Sequence, residues 1–192
     1  NHAAGELGRW RCPTVSAAAA PWFAPTGGLD GPELEEVASV RALQQALQNA
    51  LGQGRKSVLS GRKFPLSVTD IVNACQQRDA LTVRATGEAA GALGWAIAQL
   101  SLVLDPAKVV LSGPLTALGE MFLQPLRARA ERVLKPSGSP VPEIVNSTMG
   151  EFSGALGAAA LALHEWKPVL ESRAKAPAEP AQPAGGGRRS KR

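Results

Sequence analysis

KVVLSGPLTALGEMFLQPLRARAERVLKPSGSPVPEIVNSTMG, residues 108–150, decides the fold. It opens on Lys108-Val109-Val110-Leu111-Ser112, a short run with β-branched residues that suits a strand, and Gly113-Pro114 turns it. Residues 115–134 read as a helix, 136–140 as a loop, and Ile144-Val145-Asn146-Ser147 as a second strand, turned by Gly150. A last helix opens at Glu151 or Ser153 and runs through His164 to an end at Pro168. A strand, a crossover of about 30 residues containing a helix, and a second strand imply parallel strands joined right-handedly. In such sheets ligands settle beyond the carboxyl ends of strands. Those ends are Ser112-Gly113-Pro114 and Ser147-Thr148-Met149-Gly150. Many α/β folds share this arrangement, so it marks a place for a ligand without naming one.

Working back from residue 108, Leu104-Asp105-Pro106 closes a long helix that begins at Asp79. Its face is small: Ala85, Ala89 and Ala92, with Gly87, Gly91 and Gly94. Small side chains let a second helix or a sheet approach closely, at about 1 kcal/mol per interior glycine relative to alanine. A shorter helix ends near Cys75 and is capped by Ser67 or Thr69. Before it, Leu34, Val37, Val40, Leu43, Leu47 and Leu51 recur at helical spacing. Pro32 and the acids Glu33, Glu35 and Glu36 make a good start for one helix over 32–51, because acids complement the positive end of the helix dipole. Residues 1–31 carry Gly, Pro and Ala with little periodicity.

The chain has 192 residues, 44% of them hydrophobic, enough for one domain with a real core. The longest apolar run, 89–104, is shorter than the roughly 20 residues a bilayer needs, so it is expected to be a buried helix, with no membrane partner. Two cysteines far apart in sequence, Cys12 and Cys75, make neither a disulfide framework nor a metal cluster, and a cytoplasmic location is expected. Six basic residues (Arg173, Lys175, Arg188, Arg189, Lys191, Arg192) and two acidic ones (Glu171, Glu179) lie from Pro168 on, so the tail holds +4 of the formal +5. The body is close to neutral and is not built as a nucleic-acid surface. Residues 167–192, rich in Ala, Pro and Gly, cannot bury enough apolar area to offset their ordering entropy and are expected to be a disordered basic tail. RRSKR reads as a solvated end, or else as a weak phosphate-backbone contact.

Three stretches together resemble the ROK family (repressor, open reading frame, kinase). Asn1-His2-Ala3-Ala4-Gly5-Glu6-Leu7-Gly8-Arg9 is similar to its Gly-Glu-Ile/Leu-Gly-His segment after an Asn-containing loop. Gly31-Pro32-Glu33-Leu34-Glu35-Glu36-Val37-Ala38-Ser39 is similar to Gly-Cys-Leu-Glu-x-x-Ala-Ser. The third spans the small-residue helix, Val109-Val110-Leu111-Ser112-Gly113-Pro114-Leu115 and Gly150-Glu151-Phe152-Ser153-Gly154-Ala155-Leu156-Gly157. The resemblance implies an α/β fold, the carboxyl-terminal lobe of an actin-like ATPase (ribonuclease-H-like), with helices packed on a small sheet containing parallel strands. It implies that 1–166 is an incomplete domain whose amino-terminal lobe lies outside this sequence. That lobe carries the phosphate loop and the catalytic aspartate of the kinases, so this chain alone should not transfer phosphate.

By the same resemblance Glu6 and Glu35 are substrate-binding residues that accept hydrogen bonds from sugar hydroxyls, a task suited to carboxylates with two acceptor oxygens each. Without the resemblance, Glu6 reads as a loop acid and Glu35 as a helix-start charge. Arg9 stands where the family has a histidine that binds sugar and zinc, and Arg cannot ligate a metal. The family's thiolate motif falls on 26–33, where this chain has Thr26, Gly28 and Glu33. The zinc site is therefore expected to be lost as a set, and a network from Arg9 to Glu33 or Glu35 is expected to take its place. Gly113 is the candidate cofactor-binding residue, at the turn where the kinases approach the nucleotide. Pro114 removes a backbone donor there. No cofactor is expected in this chain, and ATP with magnesium only in a full-length kinase.

Trp95 and Trp166 read as core and His164 as a surface residue, while Trp10 and Trp22 flank the altered opening loop, where they would cover a sugar or a partner subunit. The first functional reading is the sugar-binding lobe of a sugar-responsive transcriptional regulator, resembling the xylose and N-acetylglucosamine repressors. Its partners would be a monosaccharide or sugar derivative, DNA through an amino-terminal domain absent here, and a second copy in a homodimer. The alternative is an ATP-dependent, glucokinase-like sugar kinase. A third is a non-catalytic oligomerisation lobe.

Overall fold

The structure is a computed structural model that describes residues 5–13, 22, 23 and 31–174. It divides into two units, Asn1–Glu151 and Phe152–Arg192. In chain order the first unit contains α1 (Val40–Gly52), α2 (Val68–Gln76), α3 (Ala80–Leu104), β1 (Lys108–Leu111), α4 (Glu120–Leu134) and β2 (Glu143–Asn146). The second contains α5 (Ser153–Ala174).

β1 and β2 pair in parallel, with Lys108 opposite Glu143 and Leu111 opposite Asn146. The register is reinforced at its first pair, where Lys108 Nζ lies 2.8 Å from the Glu143 carboxylate. The crossover helix α4 is tied to β2 by Arg127, whose Nε and Nη2 donate to the Ile144 carbonyl at 3.1 and 2.8 Å.

α3 is the spine of the core. Its alanines 85, 89, 90, 92, 96 and 98 are buried, and it packs against α1, α2 and α4. By length and composition α3 would suffice to cross a bilayer, but these buried small residues face other helices of the fold. Gly94 sets the closest approach to α4, since a Cβ there would run into the Leu126 carbonyl and lie 3.1 Å from Arg129 Cβ. Larger side chains, among them Phe122, Leu126, Leu43, Leu47 and Ile71, fill the space that the small face leaves.

Local caps fix where the helices begin. At α2, Ser67 Oγ accepts from the Asp70 N–H at 3.0 Å and the Asp70 carboxylate accepts from the Ser67 N–H at 3.1 Å, a reciprocal capping box. The Ser67 hydroxyl, which also donates to the Asp70 carboxylate at 2.7 Å, and the Ser67 N–H hold the Asp70 carboxyl below its usual range. At α3 the nearly buried Asp79 accepts from the Thr82 N–H and hydroxyl at 2.9 and 2.7 Å. It also accepts from the Ser57 hydroxyl at 2.9 Å and the Val58 N–H at 3.0 Å, which ties the preceding loop to the helix. Burial alone would raise the Asp79 pKa, but these donors together hold it below the ordinary value.

Three boundaries differ from the sequence pattern. The single helix expected over 32–51 is two pieces, a 3-10 turn at Leu34–Glu36 and then α1. The Glu33 N–H bonds the Glu36 carboxylate at 2.9 Å to close the turn. Ser39 then caps α1, accepting from the Ala42 N–H at 3.1 Å. Likewise 115–134 begins as a 3-10 turn, Pro114–Leu118, and Gly119 at φ 57° breaks it before α4. Pro168 does not end the last helix, which runs to Ala174. Proline's fixed φ is helical and only one donor is lost, as also at Pro125 inside α4. The rest of the expected tail, 175–192, lies outside the described residues.

Candidate functional site

Glu6 and Glu35 sit on two 3-10 turns held face to face. Glu6 precedes the turn Leu7–Arg9, and Glu35 is the middle residue of Leu34–Glu36. A short antiparallel backbone ladder joins them: the Leu34 N–H donates to the Trp10 carbonyl at 2.7 Å, and the Cys12 N–H to the Pro32 carbonyl at 2.9 Å. Between these bonds Arg11 and Glu33 form a bridge pair. The ladder needs Gly31, which has φ +81° and whose Cβ would lie 2.5 Å from the Cys12 carbonyl oxygen. Cys12 is buried beneath it, and burial pushes its thiol pKa up.

The ladder lays the Glu35 side chain across Gly8. A Cβ on Gly8 would lie 3.2 Å from Glu35 Oε2 and 3.3 Å from Glu35 Cβ. The second glycine of Gly5-Glu6-Leu7-Gly8 is therefore the residue that admits the second carboxylate, two positions along from Glu6. Both glutamates are exposed, so both are open to a ligand. Glu35 lines a cleft of about 550 Å³ with Glu33, Glu36, Ser39, Arg41 and Gln45.

The network expected from Arg9 is made by a different arginine. Arg11 Nη1 donates to the Gly31 carbonyl at 3.0 Å, and its Nη2 lies 3.9 Å from the Glu33 carboxylate. Arg9 ends its turn with an exposed side chain that makes no hydrogen bond or ion pair among the described residues. The reason is register: Arg11, not Arg9, lies opposite Glu33 in the ladder. Thr26 and Gly28 fall outside the described residues.

At the carboxyl end of β1, Gly113 turns the chain with φ +116°, a conformation that favours glycine. Its carbonyl accepts from both the Thr116 N–H at 3.1 Å and the Thr116 hydroxyl at 2.6 Å. Asn146, at the end of β2, donates from Nδ2 to the Thr116 carbonyl at 3.3 Å, while its buried Oδ1 has no partner. A cleft of about 510 Å³ opens here, lined by residues 110–116 with Ala38, Ser39, Val40, Leu93 and Phe122. Ser39 lines this cleft and also the Glu35 cleft. The two sites thus meet at the capped amino end of α1, where the helix dipole favours negative charge.

The other candidates separate. Trp22 is buried, with the Arg84 guanidinium 5.3 Å over its ring, so it is a core residue and does not cover the Glu35 cleft. Trp95 is half-buried on α3 and His164 is exposed on α5. The side chain of Trp166 lies outside the described residues. Sequence reasoning missed Arg11, Thr116 and Asn146. Thr116 had a signal, as a hydroxyl three residues after a Gly-Pro turn. Arg11 and Asn146 depend on register between distant segments, which no local pattern encodes.

This α/β arrangement is the carboxyl-terminal lobe of the actin-like ATPase class. It matches a ROK family glucokinase from Streptomyces griseus, solved in complex with glucose and AMPPNP, with a TM-score of 0.63 and 27% identity over 82% of this chain and 51% of that one. A ROK family transcriptional regulator, a homologue of the E. coli MLC protein, shares the fold with a TM-score of 0.56 and 23% identity, covering 64% of this chain and 32% of its own. A glucokinase of Halalkalibacterium halodurans is 27% identical over 127 residues, 65% of this chain and 38% of that relative, so the chain spans well under half its length. The sequence model of the ROK family matches residues 24–165, and the chain belongs to the ROK family.

Proposed function

We propose that this chain is the carbohydrate-binding lobe of a larger ROK protein, with Glu6 and Glu35 accepting hydrogen bonds from adjacent sugar hydroxyls. The observation that carries this reading is the Glu35 carboxylate laid over Gly8, on the turn that Glu6 begins. The glucose complex of the Streptomyces griseus relative supports a sugar as the ligand class. Arg9, exposed at the end of that turn, would reach a ligand only from the rim. The segment over 31–34 is held by backbone bonds and the Arg11–Glu33 pair, so we propose that no zinc is needed to order it. The test is thermal: on the full-length protein, a bound monosaccharide at a hundred times its Kd adds about 2.7 kcal/mol of stability and raises Tm. A panel of hexoses, pentoses and N-acetylated sugars that leaves Tm unmoved contradicts the reading.

Two parents fit this lobe. A sugar-responsive regulator is favoured by Pro114, which removes a backbone donor from the strand-end turn. In that case a sugar bound more tightly by one conformation shifts the population of DNA-binding states. A sugar kinase is favoured by the shared wall at Ser39, which sets the sugar cleft beside the strand-end cleft where Gly113 would approach a nucleotide, and by the glucokinase relatives. The phosphate loop, the aspartate base and the magnesium would then come from the rest of the parent. Sugar-dependent ATP hydrolysis by the full-length protein assigns the kinase, and DNA binding relieved by sugar assigns the regulator.

A further inference from the structure

We propose that the outer groove between α3 and α4 docks an acidic α-helix of a partner protein. One ridge of each helix makes its walls: Arg84, Gly87, Glu88 and Gly91 from α3, and Pro125, Ala128, Arg129 and Arg132 from α4, around a cleft of about 470 Å³. Arg84 also walls the next cleft along, with Arg55 and Lys56, so the two clefts form one track. Among the described residues that line the track are the cations Arg55, Lys56, Arg84, Arg129 and Arg132 and one carboxylate, Glu88. The body of the chain as a whole is close to neutral, so this concentration of one sign is local, and it selects a ligand of the opposite sign.

The floor points to the shape of the ligand. Gly94 is explained within the molecule, because α4 lies against it. Gly87 and Gly91 are not, since a Cβ at either would meet nothing within 4 Å. Four residues apart, they lie on one face of α3 and leave its backbone open to close approach by a second backbone. A helix carrying acids on one side and small residues on the other fits such a groove. A second copy of this chain would bring the same cations against one another, and charge disfavours it.

The experiment uses the full chain and a fluorescent alanine-rich helical peptide with glutamates four residues apart, titrated by anisotropy at low and high salt. Saturable binding that weakens with salt is expected, together with a rise of about tenfold or more in Kd for R132E and R55E. G91L should weaken binding equally by filling the floor, with G87L as the second variant should G91L lose its far-UV circular dichroism. No saturable binding, or binding unmoved by R132E, R55E and G87L, overturns the proposal. So does tripolyphosphate binding the groove where the peptide does not, or sedimentation showing self-association that G91L abolishes.

Discussion

Gly8 is the residue on which the site turns. Its missing side chain lets the Glu35 carboxylate rest on the turn that follows Glu6. Gly8→Ala places a methyl group 3.2 Å from Glu35 Oε2, so the carboxylate must shift by a few tenths of an ångström. In the full-length protein we expect sugar affinity to fall about tenfold, roughly 1.4 kcal/mol, with Tm nearly unchanged, as checked by paired calorimetric titration and thermal melts. Asp79 makes a second prediction at this scale. Its folded pKa is depressed, so the carboxylate stabilises the fold above the ordinary aspartate pKa, and that contribution drains away as pH falls through the lowered value. Asp79→Ala should cost about 1–2 kcal/mol at neutral pH, the loss of a helix cap. It should also flatten the acid limb of a stability-against-pH curve from urea melts. An acid limb identical in wild type and variant would refute it.

At the scale of elements, the glycines of α3 divide by what they touch. Gly94→Ala drives a methyl into the Leu126 carbonyl and should destabilise by about 1–3 kcal/mol, as overpacking does. Gly87→Ala meets open space and should stabilise by up to about 1 kcal/mol through helix propensity alone. Chemical denaturation of the two variants checks both signs together. The sequence pattern made no such distinction, because all three glycines belong to the same small face. It located α2, α3, β1 and β2 to within a residue or two and implied the parallel pairing, since Val109-Val110-Leu111 and Ile144-Val145 with their turns are local signals. It fused the turn at Leu34–Glu36 with α1, because apolar spacing continues through Val37 and Val40 while the break is set by the Ser39 cap. The same continuity hid the break at Gly119. Pro168 works in the other direction: as a local signal it predicts a stop, yet it lies inside α5.

At the scale of the whole molecule, the chain belongs to the ROK family, and its match covers 38% and 41% of the two glucokinases. Its candidate sites are suggested by motif and not by periodicity. Glu6 and Glu35 could be marked by resemblance, but that Glu35 lies over Gly8 depends on the ladder between residues 10–12 and 31–34, a long-range contact. Arg11 escaped for the same reason, and the motif drew attention to Arg9 instead. The central claim is that Glu6 and Glu35 together hold a carbohydrate. It is tested most directly by measuring Kd for the best-bound monosaccharide on the full-length protein, wild type against Glu6→Gln and Glu35→Gln, which keep shape and remove charge. Each variant should bind about ten- to a hundredfold more weakly, as expected when a charge-assisted hydrogen bond of about 1.5–3 kcal/mol is lost. Wild-type affinity in both would contradict the account.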